Sequence, residues 1–152
     1  MKTATGKGQM HFVLDPSVVI KWYVSENLTD AAVHLKERIE KESRLVAVPQ
    51  FFFLESANIL WKKSSLMKEL SRSDAKGIYS RILDLPFHVI EDKELLLKAL
   101  NLAFDHSVSI YDAMYLACVI HSKAVLVTAD TSFSERFTHS NLRHQVKHLN
   151  EL

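Results

Sequence analysis

The chain has 152 residues, 47% apolar and 24% charged, with a formal net charge of +1. That is enough for one domain with its own core, and it excludes a basic nucleic-acid-coating protein and a disordered chain. The single Cys118 excludes an intramolecular disulfide, and the only glycines, Gly6, Gly8 and Gly77, exclude a Gly-rich phosphate cradle.

Residues 1–10 are polar and have no apolar signal-peptide core, so a loose leader is expected ahead of a single domain over residues 11–152. No apolar run approaches the roughly 18 residues of a membrane span, which points to the cytoplasm and to no membrane partner. Residues 11–14 read as a strand buried on both faces. The run stops at Asp15-Pro16, an N-cap residue followed by the residue best suited to a helix's first position.

A short helix is predicted over residues 16–23, and a second over 31–41, capped by Thr29 or Asn27. Residues 44–48 form the second strand. Pro49 marks another helix start, and residues 51–63 are aromatic first and basic last, as the helix dipole favours. Ser71 or Ser73 opens the next helix, which runs to about residue 84 with Ile78, Ile82 and Leu85 as its core side. A third strand over 87–90 precedes Glu91-Asp92, read as a helix cap, and a helix over 93–104. Ser109 opens a helix through residue 120, whose Cys118 reads as a buried, inert thiol. Residues 124–128 give the strongest strand signal, 133–137 a short helical turn, and 145–148 a weak fifth strand. Strands alternating with helices specify an α/β fold: a doubly wound, mainly parallel five-stranded sheet flanked by helices.

Open α/β sheets bind ligands at the carboxyl ends of their strands. Asp15 and Asp130 both fall there, although each could equally be an N-cap. Asp112 follows Ser109 at capping-box spacing, so it could serve only to close the first turn of its helix. Glu55 is harder to explain as structure. Its helical neighbours are Phe51, Phe52, Asn58 and Ile59, with no Lys or Arg within one turn. Such an acid needs a partner, which a cation, a raised pKa or a distant Arg could each supply.

Together the four carboxylates fit a site for a hard divalent cation, Mg2+ or Mn2+. Such ions lower the pKa of water and steady both oxygens of an in-line displacement, which is what phosphodiester hydrolysis requires. There is no Ser/His/Asp elbow and no HExxH motif. His144 and His148 fall in a predicted strand, about 13 Å apart, too far to share an ion.

Four segments resemble the signatures of PIN-domain nucleases, above all the VapC toxins of toxin–antitoxin pairs. They are Leu14-Asp15-Pro16-Ser17-Val18-Val19-Ile20-Lys21-Trp22, Pro49-Gln50-Phe51-Phe52-Phe53-Leu54-Glu55-Ser56-Ala57-Asn58-Ile59-Leu60, Tyr111-Asp112-Ala113-Met114-Tyr115-Leu116-Ala117, and Thr128-Ala129-Asp130. The resemblance implies Mg2+- or Mn2+-dependent cleavage of RNA, a homodimer, and an antitoxin protein that masks the site. It carries the catalytic acids over as Asp15, Glu55, Asp112 and Asp130, with Ser17 and Thr128 as supporting hydroxyls. On this pattern Asp15, Asp112 and Asp130 hold the metal directly, and Glu55 holds either the metal or its water. Pro16 departs from the Ala or Thr common at that position.

Lys21, Lys62 and Lys63 are candidate RNA contacts on charge alone, each equally readable as a solvated surface charge. Trp22 and Trp61 could stack on bases or pack at an interface. Two alternatives stay open: a DNA-directed or structure-specific nuclease using the same site, and a catalytically silent binding module whose acids are only caps.

Overall fold

Five short runs rich in β-branched residues become strands: β1 (Phe12–Leu14), β2 (Val46–Pro49), β3 (His88–Ile90), β4 (Val125–Thr128) and β5 (Val146–His148). The computed structural model describes residues 9–152. Most of the expected leader therefore lies outside the described residues. All neighbouring strands pair in parallel, in the order β3-β2-β1-β4-β5. The central strands β1 and β2 are buried throughout, as the unalternating apolar runs required, whereas β3 at the edge exposes His88 and Val89.

The connections are helical: α1 (Pro16–Val19), α2 (Thr29–Lys41), α3 (Phe51–Ser65), α4 (Arg72–Leu83), α5 (Asp92–His106), α6 (Ile110–Ser122) and α7 (Thr131–Glu135). In α6 the residues from Ala113 to Val119 are all buried, because the helix is covered by α5 on one side and by β1, β2 and β4 on the other. A helix apolar all round belongs in such a place. Cys118 is fully buried there, and burial pushes its thiol up to about 12, so it is inert.

The chain winds outward from β1 in both directions, through β2 to β3 and later through β4 to β5. The switch point therefore lies between β1 and β4, whose ends sit side by side with Leu14 opposite Val127. That juxtaposition places the two acids that follow these strands over one crevice.

Several helix ends differ from the sequence expectation. Neither Thr29 nor Asn27 caps α2 with its side chain; Leu28 holds the cap position with a left-handed φ of 67°. The Thr29 hydroxyl is used on the preceding loop, accepting from Glu26 N–H at 2.9 Å and donating to the Val24 carbonyl at 3.3 Å. The first helix is α-helical only to Val19 and tightens into a 3-10 turn over Ile20–Trp22. Ser71, not Ser73, caps α4, accepting from Asp74 N–H at 2.9 Å.

Asp92 does not cap its own helix. Its Oδ1 accepts from Phe51 N–H at 2.9 Å and so satisfies a free donor at the start of α3, forty-one positions away. Asp92→Ala should cost about 0.5–2 kcal/mol, the scale of a lost N-cap. Urea unfolding checks this, and an unchanged midpoint would mean the bond carries no stability.

Candidate active site

Asp15 ends β1 and caps α1. Its Oδ1 accepts from Ser17 N–H at 2.8 Å and also from the Ser17 hydroxyl. Ser17 Oγ in turn accepts from Ala129 N–H at 3.0 Å, which ties the turn after β1 to the turn after β4. Fully buried Thr128 orders the turn after β4, its hydroxyl accepting from Asp130 N–H at 3.0 Å. Asp130 caps α7 through Oδ1, which accepts from Phe133 N–H at 3.0 Å.

Asp112 stands in the first turn of α6, and its N–H donates to Ser109 Oγ at 3.1 Å. The other half of a capping box, from Ser109 N–H to the Asp112 carboxylate, is not formed among the described residues. Glu55 projects from α3, and its Oε2 accepts from the Tyr115 hydroxyl at 2.8 Å.

All four acids line a cleft of about 80 Å³, together with Ser17 and Tyr115, and Ile59 and Phe133 supply apolar walls. A larger groove, about 650 Å³ between α3 and α4, carries none of these acids. Capping and site membership are therefore compatible. Asp15 and Asp130 each use one carboxylate oxygen on a helix terminus, and that bond orients the group at the cleft.

Burial pushes the Asp15 carboxyl above its ordinary range; bonds from Ser17 and Thr128 oppose this, and the Asp130 charge adds to it. Glu55 is pushed up to about 7 by burial, against the Tyr115 hydrogen bond and with the charges of Asp15 and Asp112. Asp112 is raised by burial and by the Asp130 charge, against the Ser109 hydrogen bond and the charge of Arg136. The four carboxylates thus share one field and repel one another.

Among the described residues no three His, Cys, Asp or Glu side chains form a close-set ligand cluster. The four carboxylates line one cleft from different sides. Oxygen-only donors, partly buried and mutually repelling, fit a hard divalent cation such as Mg2+ or Mn2+.

Because folded Glu55 titrates about 7 against an ordinary 4.5, the folded state binds more protons than the unfolded chain between those values. Stability in chelator should therefore fall as pH rises through that window, the reverse of a salt-bridged carboxylate. Glu55→Gln should flatten the slope. Urea unfolding across the window checks it, and a slope unchanged by the substitution would contradict the burial.

The candidate lysines lie outside the cleft. Lys21 and Lys63 both pair with Glu26, at 2.8 and 2.6 Å, and Lys63 also reaches Glu69 at 3.1 Å. Lys62 is exposed on α3. Trp22 is structural, its Nε1 donating to the Ala32 carbonyl at 2.9 Å, whereas Trp61 lines the large groove. Two further residues act on the acids, Tyr115 within the third signature segment and Arg136 outside all four. Tyr115 was detectable as the residue one helical turn after Asp112 on the same face. Arg136 follows α7, three residues after Phe133, and makes no ion pair among the described residues.

A family model for the PIN domain matches residues 12–136. Ribonuclease VapC3 of Pyrobaculum aerophilum is 29% identical over 131 residues, covering 84% of this chain and 95% of that protein. The crystal structure of PAE2754 from Pyrobaculum aerophilum aligns with a TM-score of 0.66 at 22% identity, over 88% of this chain and 83% of that one. A toxin-antitoxin complex from Klebsiella pneumoniae aligns with a TM-score of 0.59 at 16% identity, over 89% and 94% of the two chains. At those identities the two solved structures are likenesses of fold.

Proposed function

Because this chain belongs to the PIN domain family, we propose that it is a metal-dependent endoribonuclease, the toxin of a type II toxin–antitoxin pair. The observation that carries this reading is the convergence of Asp15, Glu55, Asp112 and Asp130, from four separate elements, on one cleft. Similarity to Ribonuclease VapC3 along most of both chains supports RNA as the substrate and VapC as the type.

Asp15, Asp112 and Asp130 would hold Mg2+ or Mn2+, with Glu55 completing the set or orienting water. When bound, the cation lowers the pKa of water and offsets charge on the phosphoryl oxygens. The Ser17 hydroxyl ties Asp15 to the turn after β4, and the Thr128 hydroxyl accepts from Asp130 N–H within that turn. Glu55, which lines the same cleft, is placed to orient water entering it. Of the three lysines, Lys62 is exposed and makes no ion pair among the described residues, so it remains available to RNA phosphate. Lys21 and Lys63 would first have to leave Glu26.

The same reading assigns a cognate antitoxin that masks the cleft, a homodimer, a single domain over residues 11–152 behind the leader, and a cytoplasmic setting. Among the described residues no helix is long and apolar enough to cross a membrane.

Purified protein with Mn2+ should cut single-stranded or looped RNA and leave duplex DNA intact, because unpaired bases splay into a cleft more readily. Gel analysis of labelled substrates reads the outcome. Cleavage of DNA flaps with RNA untouched would favour the DNA-directed alternative, and no cleavage of either would favour the binding module.

A further inference from the structure

We propose that Tyr115 is the positioning residue for Glu55: its hydroxyl holds Oε2 at 2.8 Å and leaves Oε1 for the four-acid cleft. No other bond to the Glu55 carboxylate is formed among the described residues. A glutamate has three side-chain torsions, so one tethered oxygen decides which way the other faces.

Three features set Tyr115 up for this. It is 3% exposed, and a buried tyrosine needs a partner for its hydroxyl. The hydroxyl meets that need with Glu55, sixty positions earlier on α3. Its helix is held rigidly, with every residue from Ala113 to Val119 buried, so the hydroxyl is a fixed point. Phe51, one turn before Glu55 on α3, packs its ring 6.3 Å from the Tyr115 ring and 5.4 Å from the Tyr111 ring. Contacts from α3 therefore fix the ring as well as the hydroxyl. Asp112 lies one turn before Tyr115 on α6, so one helical face supplies both a carboxylate of the cleft and the group that aims another. Groups that orient a metal-holding carboxylate in this way act on affinity without touching the ion.

The inference rests on the cleft being a cation site. Its test is a double-substitution cycle over Tyr115→Phe, Glu55→Gln and the pair, read by calorimetric titration with Mn2+ and by RNA cleavage. Phenylalanine keeps the ring, and unfolding in chelator verifies that each variant folds. Tyr115→Phe should weaken Mn2+ binding about 10–100-fold, the scale for losing a group that supports a ligand. It should lower kcat with KM for RNA little changed. In the Glu55→Gln background Tyr115→Phe should have no further effect on Mn2+ affinity, because the residue acts through Glu55.

An equal loss in both backgrounds, or unchanged Mn2+ affinity in the single variant, would overturn the proposal. The two readings fail separately. Mn2+ binding that depends on Tyr115 only through Glu55, in a protein that cuts no RNA, would support Tyr115 and sink the ribonuclease. A wild type that cuts RNA and a Tyr115→Phe variant that binds and cuts equally well would do the opposite.

Discussion

Millimolar Mn2+ should raise the thermal midpoint of the protein well above its value in chelator. Asp15, Glu55 and Asp112 are all raised by burial and by one another or Asp130, so the folded state carries unfavourable charge concentrated in one cleft. A cation that binds there and not to the unfolded chain relieves that repulsion and shifts the folding equilibrium by mass action. At a hundredfold excess over Kd the gain is about 2.7 kcal/mol, or roughly 5–11 °C for a domain of this size. The gain should be smaller at pH values below the Glu55 midpoint of about 7, where a proton must leave before the carboxylate can serve as a ligand. Asp15→Asn should remove most of it. An identical midpoint in Mn2+ and in chelator would leave the cleft without a cation role.

The alternation of buried apolar runs with amphipathic ones was enough to define the sheet, because each central strand is covered on both faces and tolerates no polar alternation. The site was visible for a related reason. Asp15 and Asp130 interrupt such runs at their carboxyl ends, and Glu55 sits on a stripe with no nearby cation.

What stayed hidden depends on contacts between distant parts of the chain. Local spacing offered Asp112 a capping box, but only half of it forms, and the carboxylate lines the cleft instead. Asp92 was legible as a cap but not as the cap of another helix, since its partner Phe51 is brought near by β2 and β3 pairing. Lys21 and Lys63 read as free cations until folding presents both to Glu26. Tyr115 was visible only as a member of its signature segment, and the approach of α3 to α6 supplies its hydroxyl with a partner. The capping of Asp15 and Asp130 did not decide whether they also face a cleft, because a carboxylate has two oxygens and a helix terminus uses one.

Asp112→Asn separates capping from catalysis most directly, since the two roles give opposite signs on one variant. As a mere cap, Asp112 contributes a favourable charge near a helix N-terminus, and its loss should cost about 0.3–1 kcal/mol with cleavage nearly unchanged. As one of four repelling acids, its neutralisation should leave the protein in chelator as stable as wild type or more so. Cleavage should then fall by orders of magnitude, as the cation site loses a direct ligand. The decisive measurement is RNA cleavage by Asp112→Asn in Mn2+, set beside its urea unfolding in chelator. Undiminished stability with cleavage down at least about a hundredfold, the scale of one lost electrostatic stabiliser, is the predicted result. A less stable but fully active Asp112→Asn would contradict the four-acid site.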